Sequence, residues 1–249
     1  MRANEAISLT RSFAIACAAA ALAVACVNGA RAQTQSDQGE IHSLRLGLAA
    51  QAMTLDGWGQ LACGSDGGPP RQELDAWPDF KKCRPEASGL REVAARFDDE
   101  DEYVAKALGE PSYAAQRTGT RVAGHPVILS ALFDGGGILR GIRMVSDPRA
   151  TPAERRMAHL FGVAVINRYG TDGWHCVDFP PAEGESAVGG VFIKQRCDKT
   201  MPERALTVET HFLRKPGQHD VDPGTHEYTQ GAFDSWTRFE LFDPNYRKP

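Results

Sequence analysis

The chain has 249 residues and a mass of 27.0 kDa, with 42% hydrophobic and 24% charged residues. That balance is ordinary for a globular protein and excludes a disordered or collagen-like chain. A formal charge of -4 and an isoelectric point near 6.0 leave no basic footprint, so nucleic acid is not an expected partner.

Residues 1–32 read as a secretory signal. Arg2 and Arg11 lie near the start, Phe13 to Val27 is apolar and rich in alanine, and Ala30-Arg31-Ala32 offers a cleavage site before Gln33. The apolar run falls short of the roughly 20 residues that cross a bilayer as a helix. A lipoprotein reading at Cys26 ranks below cleavage, because Ala23 stands where such signals favour leucine. Cleavage after Ala32 removes Arg2, Glu5, Arg11 and Arg31; 217 of the 249 residues remain and the net charge moves from -4 to -6. No later apolar run approaches spanning length. The expected location is therefore the periplasm or the exterior, with no membrane span after cleavage.

Cys17 and Cys26 leave with the signal, and Cys63, Cys83, Cys176 and Cys197 remain. An even number in an exported chain implies disulfides, with three connectivities open. Local pairing, Cys63 with Cys83 and Cys176 with Cys197, closes two loops of similar length. Each bridge would stabilise the fold by about 3 kcal/mol by restricting the unfolded chain. A four-cysteine zinc site is the rival; it lacks a C-x-x-C pair and would need a reducing compartment.

Along the chain, Leu44, Leu48, Ala52 and Leu55 are spaced for one face of a helix over 41–55. The Gly- and Pro-dense stretch from Gly57 to Pro85 reads as an irregular loop, carrying Trp58, Trp77 and Phe80. A helix is predicted over Leu90–Leu108, firmest from Glu100 and stopped by Gly109 and Pro111, with the acids of Asp98–Glu102 as a solvated first turn. Strands follow at Arg117–Val122, His125–Phe133 and Ile138–Val145, the last two joined by the turn Asp134-Gly135-Gly136-Gly137. Thr151-Pro152-Ala153-Glu154 then forms a capping box, opening a helix with an apolar stripe of Met157, Leu160, Phe161 and Ala164 that ends at Gly170. Four more strands are predicted at Trp174–Phe179, Val188–Cys197, Ala205–Leu213 and Ser235–Phe242. The expected fold class is α+β, an antiparallel sheet with helices packed on one face, and the order admits two αβββ-type halves at 33–148 and 149–249. The halves are also compatible with a single domain.

No metalloprotease, nucleophile-elbow, P-loop or dinucleotide signature occurs. Gly64-Ser65-Asp66-Gly67 lacks the first glycine of an elbow and reads as a loop. The densest ligand cluster is His219, Asp220 and Asp222 with His226 and Glu227; imidazole and carboxylate together suit a transition metal, though Pro223-Gly224 breaks any helix that would align them. Arg140, Arg143, Arg149, Arg155 and Arg156 form a basic cluster that either receives an anion or pairs with neighbouring acids. His159 and His211 fall on polar faces of their elements. No cofactor is implied. The function expected is that of a non-enzymatic envelope protein, periplasmic or secreted, acting as a binding or scaffold protein for an envelope protein or a small ligand through loops, Trp58 and Trp77 being candidate anchors or core plugs. The alternative is an exported hydrolase, metal-assisted, centred on the loop from His219 to Glu227.

Overall fold

The computed structural model describes residues 41–97, 120–219, 221, 224–227 and 232–246. The chain divides into two compact units, Met1–Arg45 and Leu46–Pro249. Of the first, the described residues form a turn bridged from Ile41 to Leu44.

The second unit is built on antiparallel sheet. Its strands are β1 (Trp58–Cys63), β2 (Glu73–Leu74), β3 (Arg91–Phe97), β4 (Arg121–Val122), β5 (His125–Phe133), β6 (Leu139–Ser146), β7 (His175–Asp178), β8 (Ile193–Met201), β9 (Arg204–Leu213) and β10 (Asp234–Phe242). They lie in the order β2-β1-β3-β5-β6-β10-β9-β8-β7, with β4 paired to β5 off this path. Apart from the short β2 and β4, each half is a four-stranded meander. The two meanders meet through their last strands, where Arg143 faces Glu240 and Ile142 faces Leu241.

Register and the two-residue strand period sort the side chains onto two faces. Val93, Ala131, Ile142, Leu241 and Leu206 form one continuous row across five strands of the apolar face. Among the described residues two covers lie on that face. In the first meander it is the 3-10 turn Trp77–Lys82, whose Trp77 and Phe80 rings pack 6.1 and 5.3 Å from Phe133. In the second it is helix α2 (His159–Arg168), reached through the short helix α1 (Pro152–Arg156). Here Gly162 is required by contact: a Cβ would lie 2.5 Å from Thr210 Oγ1, so only glycine lets the helix axis approach the sheet. Thr237 Oγ1 donates to the Ala158 carbonyl at 2.9 Å and fixes the start of α2. At the other end Lys199 Nζ donates to the Tyr169 and Gly170 carbonyls at 2.6 and 3.0 Å, satisfying groups that a helix C-terminus leaves open.

The expected α+β class is overturned. Among the described residues the fold is a ten-stranded antiparallel sheet, and its α-helices are α1 and α2 only. Three departures account for the error. The predicted helix at 41–55 is replaced by a bridge, turns and a 3-10 turn at Ala50–Ala52, because its backbone binds the Asp134–Leu139 hairpin: Gly47 and Ala50 N–H donate to Leu139 and Gly137 carbonyls, both at 2.8 Å. Gly47 also sits at φ 82, outside the helical region. Where a helix was predicted from Leu90, Arg91–Phe97 is a strand between β1 and β5, so cross-strand pairing overrides the helix propensity of its alanines, Arg and Glu. The rest of that prediction, including the acids at 98–102, lies outside the described residues. The stretch from Gly57 to Pro85, expected to be irregular, contains β1 and β2. Each supposed αβββ half is thus a meander with a cover over one face.

Other features follow the sequence closely. The Thr151 hydroxyl accepts from Glu154 N–H while the Glu154 carboxylate accepts from Thr151 N–H, completing the capping box. The helical stripe is rotated, however: Phe161, Gly162 and Val165 are buried, and Met157 is exposed. Disulfides join Cys63 to Cys83 and Cys176 to Cys197.

Candidate functional site

Trp58 and Trp77, the loop aromatics, are 6% and 0% exposed and meet edge to face at 5.4 Å. Trp77 Nε1 donates to the Thr54 carbonyl at 2.9 Å. They are core plugs and present no surface to a partner. His219 and His226 are both exposed, while Asp220 and Asp222 lie outside the described residues. No group of three or more His, Cys, Asp or Glu converges as a metal site among the described residues. His211 stacks on Trp236 at 4.1 Å with Nε2 3.2 Å from Glu209 Oε1, and burial, opposed by Glu209, holds its pKa below the usual range. His159 stacks on Phe212 at 4.5 Å.

The arginine cluster separates into distinct pairs. Arg140 bridges Asp134 and Asp243 at 2.8 and 2.9 Å, and Arg149 holds Asp147 at 2.7 Å. Arg143 is different. Its side chain is only 4% exposed, and the strand row Ala94, Ser130, Arg143, Glu240 sets it at the centre of the sheet's second face. Its guanidinium meets Glu86 at 2.6 Å, Glu240 at 2.7 Å, Glu92 at 3.1 Å and Asp66 at 3.4 Å. Burial alone would lower the Arg143 pKa, but Glu86, Glu92 and Glu240 outweigh it and hold the group charged. Arg238 adds a second cation, 2.6 Å from Asp66 and 2.7 Å from Glu240.

A tight loop covers this cluster. Glu92 accepts from the Asp66 and Gly67 N–H groups at 2.6 and 3.0 Å, pulling the loop after Cys63 onto the sheet. A Cβ at Gly64 would lie 2.2 Å from the Glu92 carboxyl, and one at Gly67 (φ 76) would lie 2.3 Å from Val145 Cγ2. The Gly-Ser-Asp-Gly segment is therefore a carboxylate-binding turn, consistent with its reading as a loop. Glu86, Glu92 and Glu240, which are largely shielded, and the exposed Asp66 surround two arginines and leave an excess of negative charge around the buried Glu92. Burial raises the Glu92 pKa against the opposing pull of Arg143 and the Gly67 N–H, and the neighbouring Glu86 adds to the rise.

On the far side of this loop the same face opens into a groove of about 320 Å³. Its floor is Ala62, Ala94 and Ile128, and Pro70 from the loop and Pro126 from β5 form walls. The hollow lies where the cross-strand row Ala62, Ala94 and Ser130 carries small side chains. Gln60, Arg96, Asp147, Arg149 and Glu154 supply the polar rim. The rim is preorganised. Asp147 fixes Arg149, and Arg121 with Thr151 holds the Glu154 carboxyl below its ordinary pKa despite burial, which opposes the shift. The sequence carries a faint signal for this groove in Ala62 and Ala94, which only the β1–β3 register places side by side. Comparison of the chain with protein-family models, curated proteins and solved structures returns no match.

Proposed function

We propose that this chain is exported to the cell envelope and acts there as a non-enzymatic binding protein, with the groove over Ala62, Ala94 and Ile128 as its ligand site. The observation that carries this reading is the groove itself, an apolar floor ringed by fixed polar groups. Its volume of about 320 Å³ is at the small end of ligand pockets, which run from about 300 to 1,000 Å³. Such a site suits a small amphipathic molecule, its apolar body on the alanines and its polar head toward Arg149 and Gln60. The sheet supplies the floor, and the rim comes from Gln60 of β1, Arg96 of β3, Glu154 of α1 and the loop carrying Asp147 and Arg149. Support for the location comes from the two disulfides, since such bonds persist in oxidising compartments.

The test uses 1-anilinonaphthalene-8-sulfonate, a fluorescent amphipathic anion. Saturable binding by the wild-type protein and its loss in Ala94→Phe, with the thermal midpoint retained, is the expected result. Dye binding unchanged in a folded Ala94→Phe protein would remove the groove as the ligand site. For the location, the protein recovered from envelope extract is expected to show an intact mass beginning at Gln33, with both disulfides formed. Recovery in the cytoplasm with residues 1–32 still attached would overturn export.

A further inference from the structure

The two disulfides occupy opposite environments. Cys63 and Cys83 are 8% and 2% exposed, and Cys63 lies in β1 between β2 and β3. Arg91 donates to the Cys83 carbonyl and closes that corner further. In the second pair Cys197 is buried at 1%, but its partner Cys176 is exposed. Cys176 stands in β7, the last strand of the sheet, whose four residues are all exposed. Among the described residues this strand has β8 as its one strand neighbour. Beyond its short ladder with β8, it is held by Gln195 Nε2 donating to Asp178 Oδ1 at 2.7 Å and by Phe179 N–H donating to the Lys194 carbonyl at 2.7 Å. Pro180-Pro181 then ends any further pairing.

We propose that the Cys176–Cys197 bridge is a thiol-exchange site, opened by an external thiol through Cys176, while Cys63–Cys83 is a permanent staple. Thiol–disulfide exchange requires a thiolate to reach one sulfur, and access selects which sulfur and which bridge reacts. An incoming thiolate attacks Cys176 Sγ and forms a mixed disulfide there. The bond to Cys197 breaks, and Cys197 leaves as a thiolate that takes a proton from water. If the attacker is a dithiol, its second thiolate attacks the first sulfur of the reagent and releases Cys176 as a thiolate. The reagent departs as its own disulfide, and two electrons have passed to the bridge. The consequence for the fold is local, because opening this bridge frees an edge strand and leaves the central strands paired.

The experiment exposes the mature protein to glutathione, a monothiol, and separately to a C-x-x-C oxidoreductase lacking its resolving cysteine. Free thiols are then blocked with N-ethylmaleimide and peptides mapped without reduction. Opening of Cys176–Cys197 is expected to be at least about tenfold faster than opening of Cys63–Cys83, as access to sulfur dictates. The trapped adduct should sit on Cys176, and hydrogen exchange should accelerate in β7 and β8 but not in β3 and β5. An adduct with glutathione alone identifies a small thiol as the reagent, and one with the oxidoreductase identifies a protein partner; either supports the proposal. Equal rates for the two bridges, an adduct on Cys197, or no adduct with either reagent overturns it.

Discussion

Arg143→Met is expected to lower stability by about 3–5 kcal/mol at neutral pH, the usual cost of leaving buried charges without their partner. Methionine matches the apolar stem of arginine, so the loss is electrostatic and not a packing defect. Glu86, Glu92, Glu240 and Asp66 would then face one another with Arg238 as the remaining cation of the cluster. Arg143→Lys should fall between the two. One ammonium cannot reproduce a fork that gives Nε to Glu240 while Nη1 and Nη2 hold Glu86. Urea unfolding of the three proteins measures this, and the deficit of the methionine variant should narrow on acidification as the orphaned carboxylates protonate. A loss below about 1 kcal/mol, the range of exposed ion pairs, would show that water screens the cluster and that the sheet does not depend on it.

Sequence patterns carried the second meander much further than the first. Strands β8, β9 and β10 alternate clearly or end at glycine and proline turns, and the predicted spans fall within a few residues of the observed ones except at the start of β8. The disulfides were legible because local loops are the simplest closure for four cysteines. In the first meander the signals conflict. Arg91–Phe97 is composed of residues that favour helices, and only its pairing with β1 and β5 makes it a strand. Leu44, Leu48, Ala52 and Leu55 keep a helical spacing by coincidence, since the backbone between them hydrogen-bonds to a hairpin some ninety positions away. The charged centre was visible as arginines but not as a site. Glu86, Glu92, Arg143 and Glu240 belong to separate segments and meet only through strand order. The groove is less legible still, because Ala62 and Ala94 become neighbours only through the β1–β3 register.

Glu92 provides the sharper test of how that centre is balanced. Glu92→Ala is expected to cost roughly 3 kcal/mol, since it leaves the Asp66 and Gly67 N–H groups without their acceptor and takes a carboxylate from Arg143. Glu92→Gln keeps one carbonyl acceptor and removes the charge, so it separates the hydrogen-bonding role from the electrostatic one. The direction with pH follows from linkage. Burial raises the folded-state pKa of Glu92 above the ordinary value of 4.5, so the folded protein holds this proton more tightly than the unfolded chain. The stabilisation tied to that proton is fully present below 4.5 and is lost as pH rises through the higher folded-state value. Glutamine cannot titrate. Relative to wild type, the Glu92→Gln protein should therefore fare worst at low pH and improve as pH increases, a trend readable from thermal midpoints between about pH 4 and 8. A difference that is constant across that range would mean Glu92 titrates alike in both states. An opposite slope would mean that Arg143 and the two loop N–H groups outweigh burial and keep the carboxylate ionised.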